Sequence, residues 1–310
     1  MANHNLELRA KYEARAPRPS NDGPLTVERL ITSFMLYAQD TYTQRQGRSR
    51  SEVSNCREAV RCLGLMYGDF LAADITSYEM KRVREYMVDR GWCRSTINKR
   101  MSRIKRMFKW AAGESLIDGS VYHGVRSVEA LKPGRSAAPE PTDVKPVPVE
   151  DYRAILPHVS ENVNCILRLL FWTGMRPEEA CQMSGCDIDR SRADVWVYKV
   201  PKHKTQWAGK DRIVFLGPNA IEIVQPRLQP GQIFKITASG VYQAVTKSCK
   251  RHGIPHWTPR QLRHNFVTRL WYEVGAEAAQ LAASHSDIRT TQNYIDRRPD
   301  EALKFMSKVG

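Results

Sequence analysis

Residues 131–148 read Leu131-Lys132-Pro133-Gly134-Arg135-Ser136-Ala137-Ala138-Pro139-Glu140-Pro141-Thr142-Asp143-Val144-Lys145-Pro146-Val147-Pro148. Five prolines fall within this stretch, and almost no apolar residue recurs at a fixed period. Each proline fixes φ and removes a backbone donor, so neither a helix nor a sheet ladder can run through it. The stretch is expected to be an extended interdomain linker. It divides the 310-residue chain into a helical domain over 24–130 and a larger domain over 149–310. A chain of this length is also more than one core usually serves. Residues 1–23 are polar, contain Pro17, Pro19 and Gly23, and read as a flexible lead-in.

N-terminal to the linker, apolar residues recur at helical spacing. Val27, Leu30, Ile31 and Phe34 form one stripe, opening at Thr26 shortly after Pro24. A second helical stretch runs near Val53 to Phe70, and a third follows Thr76 with Met80, Val83 and Met87. The fourth reads Ser95-Thr96-Ile97-Asn98-Lys99-Arg100-Met101-Ser102-Arg103-Ile104-Lys105-Arg106-Met107-Phe108-Lys109-Trp110. Ile97, Met101, Ile104 and Phe108 share a stripe that should face a core. Lys99, Arg103 and Arg106 lie opposite, with Arg100 on the flank. No acidic residue of this stretch interrupts them, so the face is expected to meet phosphate rather than remain a solvated surface.

C-terminal to the linker, helices are expected around Val149 to Leu156 and Asn162 to Trp172. Asp194 to Val200 and Arg212 to Leu216 read as two strands joined by a polar segment containing Gly209, a hairpin with a long tip. From Ala238 the pattern is helical again. The fold class is therefore mainly α with a small β-sheet.

A formal net charge of +15 points to a polyanionic partner, most often nucleic acid. The seven cysteines are scattered and contain no Cys-x-x-Cys pair, which argues against a zinc site and a disulfide framework. Met1 to Ala10 lacks the apolar core of a signal peptide. The longest apolar run, around Ile166 to Trp172, is broken by Arg168 and is too short to span a bilayer. No membrane association is expected, and the expected setting is the cytoplasm, at the nucleoid if the source is prokaryotic.

Three short segments carry the chemistry. In Thr173-Gly174-Met175-Arg176-Pro177-Glu178-Glu179-Ala180, Gly174 suits the end of one helix and Pro177 the first turn of the next, which holds Arg176 at the junction. In Trp257-Thr258-Pro259-Arg260-Gln261-Leu262-Arg263-His264, Thr258 suits an N-cap and Pro259 a first turn. Arg260, Arg263 and His264 then share one side of a helix and repel each other unless an anion lies between them. The third segment is Ser284-His285-Ser286-Asp287-Ile288-Arg289-Thr290-Thr291-Gln292-Asn293-Tyr294.

In this order the segments resemble the tyrosine recombinase (phage integrase) family. Arg176 in Thr-Gly-Met-Arg-x-x-Glu matches the first arginine of the family's catalytic set, and Arg263 in Leu-Arg-His matches the second. His285 and Tyr294 match the final pair. Lys204, followed by Thr205, is the best match to the lysine, with Lys202 and Lys210 as rivals. The family usually has His, sometimes Lys, where this chain has Arg260. An arginine stays protonated and cannot act as a general base at neutral pH, so a phosphate contact is expected there. His264 and His256 are candidate substitutes for a proton relay. Ser95-Thr96-Ile97-Asn98 opening a basic helix is typical of the family's core-binding domain, so the resemblance runs from about Thr26 to Lys304.

The resemblance implies a C-shaped DNA clamp of two domains, a core-binding domain and a mixed α/β catalytic domain. It implies a 3′-phosphotyrosyl intermediate at Tyr294 with no cofactor and no metal. Arg176 and Arg263 would clamp the nonbridging oxygens, Lys204 would protonate the leaving 5′ oxygen, and His285 would donate a hydrogen bond. Glu179, one turn after Arg176, would orient that arginine. The implied partner is double-stranded DNA carrying specific target sites. Ala302, Phe305, Met306 and Val309 form a stripe in a terminal helix too short to be stable alone. The family implies that this segment docks on a neighbouring subunit, giving a homotetramer on paired sites. Integration or excision of a mobile element is the expected role. A type IB topoisomerase and a DNA-binding protein with a decayed site are the alternatives.

Overall fold

The computed structural model describes residues 23–44, 50–201, 211–284, 287–292 and 294–295. The chain divides between Thr142 and Asp143 into two compact units.

The first unit is helical: α1 (Val27–Gln44), α2 (Arg50–Tyr67), α3 (Ser77–Asp89), α4 (Arg94–Gly113) and α5 (Gly119–Ser127). Its helix starts are chemically marked. Thr76 and Glu79 form a reciprocal capping box on α3, and Asp118 accepts a hydrogen bond from the Ser120 amide at the start of α5. The core takes Leu30 and Phe34 from α1, Leu63 from α2, Met80 and Met87 from α3, and Ile97, Met101, Ile104 and Phe108 from α4. Burying each such side chain contributes on the order of 2 kcal/mol before entropy is counted.

The proline-rich stretch is less free than an extended spacer. Asn98 on α4 donates to the Leu131 carbonyl at 3.0 Å and accepts from the Leu131 amide at 2.8 Å. Arg94 pairs with Glu140 at 2.8 Å, and Ala138 is buried in the helical core. The far end is tied within the second unit. The Val147 amide donates to Asn265 Oδ1 at 2.8 Å, and Gln261 Nε2 donates to the Lys145 carbonyl at 3.0 Å. Proline removes repetitive structure here, but side-chain amides and an ion pair satisfy the backbone instead.

The second unit contains α6 (Val149–Ile155), α7 (Glu161–Thr173), α8 (Pro177–Cys181), β1 (Ile188–Asp189), β2 (Trp196–Lys199), β3 (Ile213–Leu216), α9 (Pro218–Val224), α10 (Ala238–His252), α11 (Gln261–Glu273), α12 (Ala276–Ala282) and α13 (Ile288–Gln292). The strands form one antiparallel sheet in the order β1-β2-β3, with Trp196 opposite Leu216 and Lys199 opposite Ile213. The two expected strands are present but shorter, and β1 adds a third. Trp196, Tyr198, Val214 and Leu216 bury one face while Phe215 points outward, the alternation a half-buried sheet requires.

Helix α7 is the central post of this unit, with Ile166, Leu167, Leu169 and Leu170 fully buried. It packs on α9 and α11. It ends at Gly174, whose φ of 62° is left-handed. A Cβ at this position would lie 2.2 Å from Cδ1 of Phe266 on α11. Only glycine satisfies both the backbone angle and the close approach. No helix among the described residues is long and apolar enough to cross a membrane. Gly174→Ala is expected to destabilise the second unit by about 2 kcal/mol or more through combined backbone strain and overpacking. Calorimetry should show that unit's melting transition displaced downward, and an unmoved transition would refute the packing assignment.

Candidate active site

The turn at Gly174 delivers Arg176, which stands extended as the N-cap of α8 with Pro177 in the first turn. Glu179 folds back on it. Its carboxylate accepts from the Arg176 amide at 2.8 Å and from Arg176 Nη1 at 2.7 Å. Glu179 is 3% exposed, so a carboxylate is held almost wholly away from water. Arg212, the residue before β3, provides the main compensation. Its Nε and Nη2 donate to the two Glu179 oxygens, each at 3.0 Å. Burial alone would push the Glu179 carboxyl up. The hydrogen bonds and charge of Arg212, with the charge of Arg176, outweigh it and bring the group to about 2.

The same cluster receives Arg263 from the first turn of α11. This side chain is 1% exposed, and it donates through Nη1 to the Gly174 carbonyl at 2.7 Å and through Nη2 to the Ala283 carbonyl at 2.6 Å. Arg212 Nη1 reaches the same Ala283 carbonyl at 3.0 Å. Burial, then the nearby charges of Arg176 and Arg212, push Arg263 down to about 10, so it remains cationic at neutral pH. Two guanidiniums thus hydrogen-bond one carboxylate, and a third, that of Arg263, lies within reach of its charge. The residual positive charge in a dehydrated setting is what a phosphodiester would neutralise.

Tyr294 follows α13 and faces this cluster. Its carbonyl accepts from Thr268 Oγ1 at 2.9 Å, its ring centroid is 4.4 Å from that of His264, and the Arg263 guanidinium lies 5.5 Å from the ring centre. Burial pushes the phenol up. A hydrogen bond with Arg260 and the charges of Arg263, Arg260 and Arg176 outweigh it, leaving the phenol more acidic than an ordinary tyrosine. His264 is buried and is pushed down to about 4 by that burial and by Arg260 and Arg263, so it is neutral at pH 7. His256, the other histidine considered for a relay, hydrogen-bonds Thr246.

The structure therefore brings Arg176, Glu179, Arg260, Arg263 and Tyr294 together. Lys204, its rivals Lys202 and Lys210, His285 and the terminal stripe at 302–309 lie outside the described residues. Ser284, immediately before His285, has a left-handed φ of 50° and donates through Oγ to the Ile213 carbonyl at 3.0 Å. The start of α11 differs from expectation. The helix begins at Gln261 with Arg260 at the N-cap, because a preceding turn is closed by the Gln261 amide on the Thr258 carbonyl at 2.8 Å.

Sequence reasoning missed Arg212 as a site residue and placed it only as a strand end. The available signal was its phase: Arg212, Val214 and Leu216 alternate onto one face, and that face is buried. The basic face of α4 is less free of acid than its own sequence suggests. Glu52 on α2 pairs with both Arg103 and Arg106 at 2.9 Å, and Arg106 Nη1 donates to the Tyr42 hydroxyl at 2.8 Å. Arg100 lies 4.0 Å over the Trp92 ring and donates to the Glu58 carbonyl at 3.0 Å. The compensating acid comes from a neighbouring helix, where the local sequence of α4 does not reveal it. Lys99 is exposed. Among the described residues no group of three or more His, Cys, Asp or Glu side chains is placed to hold a metal ion.

Residues 147–301 match the phage integrase family. The chain belongs to that family. A tyrosine recombinase XerC of Corynebacterium glutamicum is 26% identical over 264 residues, covering 76% of this chain and 80% of that protein. The Tn1549 transposon integrase in complex with transposon right end DNA aligns with a TM-score of 0.66 at 18% identity, covering 92% of this chain and 99% of that one. A lambda integrase tetramer bound to a Holliday junction gives 0.69 at 16%, covering 93% and 85%. At such identities the structural likeness speaks for the fold, and the fold is that of tyrosine recombinase catalytic domains. Tyrosine recombinases are DNA breaking-rejoining enzymes, and this chain is of that class.

The Glu179 cluster has a pH signature. The carboxyl moves from an ordinary value of 4.5 to about 2 on folding. A depressed carboxyl stabilises the fold above its unfolded value and loses that contribution as pH falls through its folded value. The window is therefore pH 4.5 down to 2, and the contribution is on the order of 3 kcal/mol. Urea midpoints of the wild type should fall more steeply across that window than those of Glu179→Gln. Parallel slopes would remove Glu179 from the acid limb.

Proposed function

We propose that this chain is a site-specific DNA recombinase that acts through a covalent 3′-phosphotyrosyl link at Tyr294, in the integration or excision of a mobile element. The observation that carries the reading is the phenol of Tyr294 held within a cluster of three arginines, Arg176, Arg260 and Arg263. The phenolic oxygen attacks the scissile phosphorus as the bond to the 5′ oxygen breaks. The phenol gives up its proton to water, and the departing 5′ oxygen gains one, assigned to Lys204. Arg176 and Arg263 neutralise the charge that builds on the nonbridging oxygens, and His285 adds a hydrogen bond there. The phosphotyrosyl bond conserves the energy of the phosphodiester, so a 5′ hydroxyl from a second duplex reverses the step without ATP. No metal is required, because guanidiniums supply the neutralisation that cations give other phosphoryl transfers.

Arg260 has a distinct part. As a permanent cation it cannot take the phenol's proton. It instead hydrogen-bonds the hydroxyl and favours the phenolate. The partner is double-stranded DNA with specific sites, contacted in the helical domain through the α4 face with Lys99, Arg100, Arg103 and Arg106. The active assembly is a homotetramer on paired sites, linked through residues 300–310. Support for the mobile-element role comes from the likeness to a transposon integrase bound to its transposon end.

Incubation with a nicked suicide substrate should trap the wild type as a covalent complex that survives chelator. Tyr294→Phe should bind the same DNA and trap none; trapping at the wild-type level would remove Tyr294 as the nucleophile. The pH–rate profile tests Arg260. Arg260→Ala is expected to slow cleavage strongly at neutral pH and to move the alkaline rise toward higher pH, because the phenol loses the cation that lowers it. Arg260→His should retain measurable cleavage. An Arg260→Ala profile that overlays the wild type would dismiss the activating hydrogen bond.

A further inference from the structure

Arg212 ties several parts of this site together. Through Nε and Nη2 it holds both oxygens of Glu179, the carboxylate that in turn holds the main-chain amide and Nη1 of Arg176. Through Nη1 it holds the Ala283 carbonyl, which also accepts from Arg263. The residue after it, Ile213, accepts from Ser284 Oγ. Three chain segments far apart in sequence, at 176–179, 263 and 283–284, are therefore fixed relative to one another by one planar fork.

The fork is costly as a purely structural tie. Arg212, Arg263 and Glu179 are 5%, 1% and 3% exposed, and an apolar replacement of comparable volume often stabilises a fold as well as a buried ion pair. Two guanidiniums also share one carbonyl oxygen and repel each other across it. Such a cluster is compensated when an anion enters beside it, and the anion in the reaction proposed above is the scissile phosphodiester. Lysine cannot reproduce the fork. It is a point charge, so it can neutralise Glu179 but cannot hold two carboxylate oxygens and a carbonyl in one plane.

We propose that Arg212 is a positioning residue for strand cleavage, whose guanidinium sets the geometry with which Arg176 and Arg263 grip the phosphate. Arg212 acts through Glu179 and Ala283 and does not itself touch the reacting atoms. The assignment rests on the phosphotyrosyl reading of the site.

The test uses the full-length protein with Arg212→Met and Arg212→Lys, each with a saturating excess of nicked suicide substrate, so that the amplitude counts competent protein. Melting temperature and DNA affinity are measured alongside. Partial misfolding lowers the amplitude of covalent complex and leaves the rate constant of the competent fraction unchanged. Mispositioned arginines lower the rate constant itself. Arg212→Met is expected to lower the single-turnover rate constant by about 100-fold with affinity for DNA nearly unchanged. Arg212→Lys is expected to fold and bind but to recover only a small part of that rate. A second substrate carries a methylphosphonate at the scissile position, which removes the negative charge from the nonbridging oxygens. On it the penalty of either variant should shrink to about tenfold or less, since less charge needs gripping. Should Arg212→Met fail to fold, the same comparison with Arg212→Lys decides. Unchanged rate constants with reduced amplitude, equal penalties on both substrates, or full rescue by lysine would each overturn the proposal. Wild-type protein that forms no covalent complex on the phosphodiester would instead overturn the phosphotyrosyl reading, whatever the variants do.

Discussion

Glu179 is a carboxylate taken out of water in the middle of a catalytic domain. An isolated carboxylate there would cost several kcal/mol or would protonate. It escapes both outcomes because four donors converge on it, two from Arg176 and two from Arg212. That requirement shapes its surroundings. It draws the residue before β3 inward, fixes the N-cap of α8, and binds the strand layer to the helix junction at Gly174. Tyr198 reinforces the link from β2 by donating to the Glu179 carbonyl at 3.0 Å. The positive charge that remains after this balance is the part left to act on an anion.

The electrostatics around Tyr294 combine burial with adjacent charge. His264 packs on the Tyr294 ring yet is neutral at pH 7, because two adjacent guanidiniums and burial oppose its protonation. It therefore supports the tyrosine by contact and adds no further charge. The acidity of the phenol comes from Arg260 and Arg263, whose own protonation does not vary over the physiological range. Among the described residues of the site, the guanidiniums stay charged and His264 stays neutral at pH 7, so their combined charge is steady around neutrality.

What was legible in the sequence is what depends on local order. The stripe Ile97, Met101, Ile104 and Phe108 reports burial through helical periodicity, and all four residues are core. Gly174 and Pro177 bracket a helix junction by their backbone preferences, and the junction is there. Arg176, Glu179, Arg263 and Tyr294 were found through motif spacing. What was not legible depends on partners far away in the chain. Glu52 is about fifty residues from Arg103, so charge counted along α4 alone could not show the pairing. Arg212 is 33 residues from Glu179, and only the inward phase of its strand hinted at burial. The proline-rich stretch was read correctly as lacking helix or strand, but composition says nothing about side chains such as Asn98 and Asn265 that tie it down.

The Ala283 carbonyl takes one hydrogen bond from Arg212 and another from Arg263, using both of its lone pairs. The anchor is an atom that every amino acid carries. Replacing the methyl side chain with another small one leaves it in place, so an alanine scan passes over it. Its vulnerability is metric. One residue inserted or deleted between Gly275 and Ser284 would turn that oxygen away from both guanidiniums and carry the following histidine with it. The geometry at this point therefore constrains the length of α12 and its turn more than its composition.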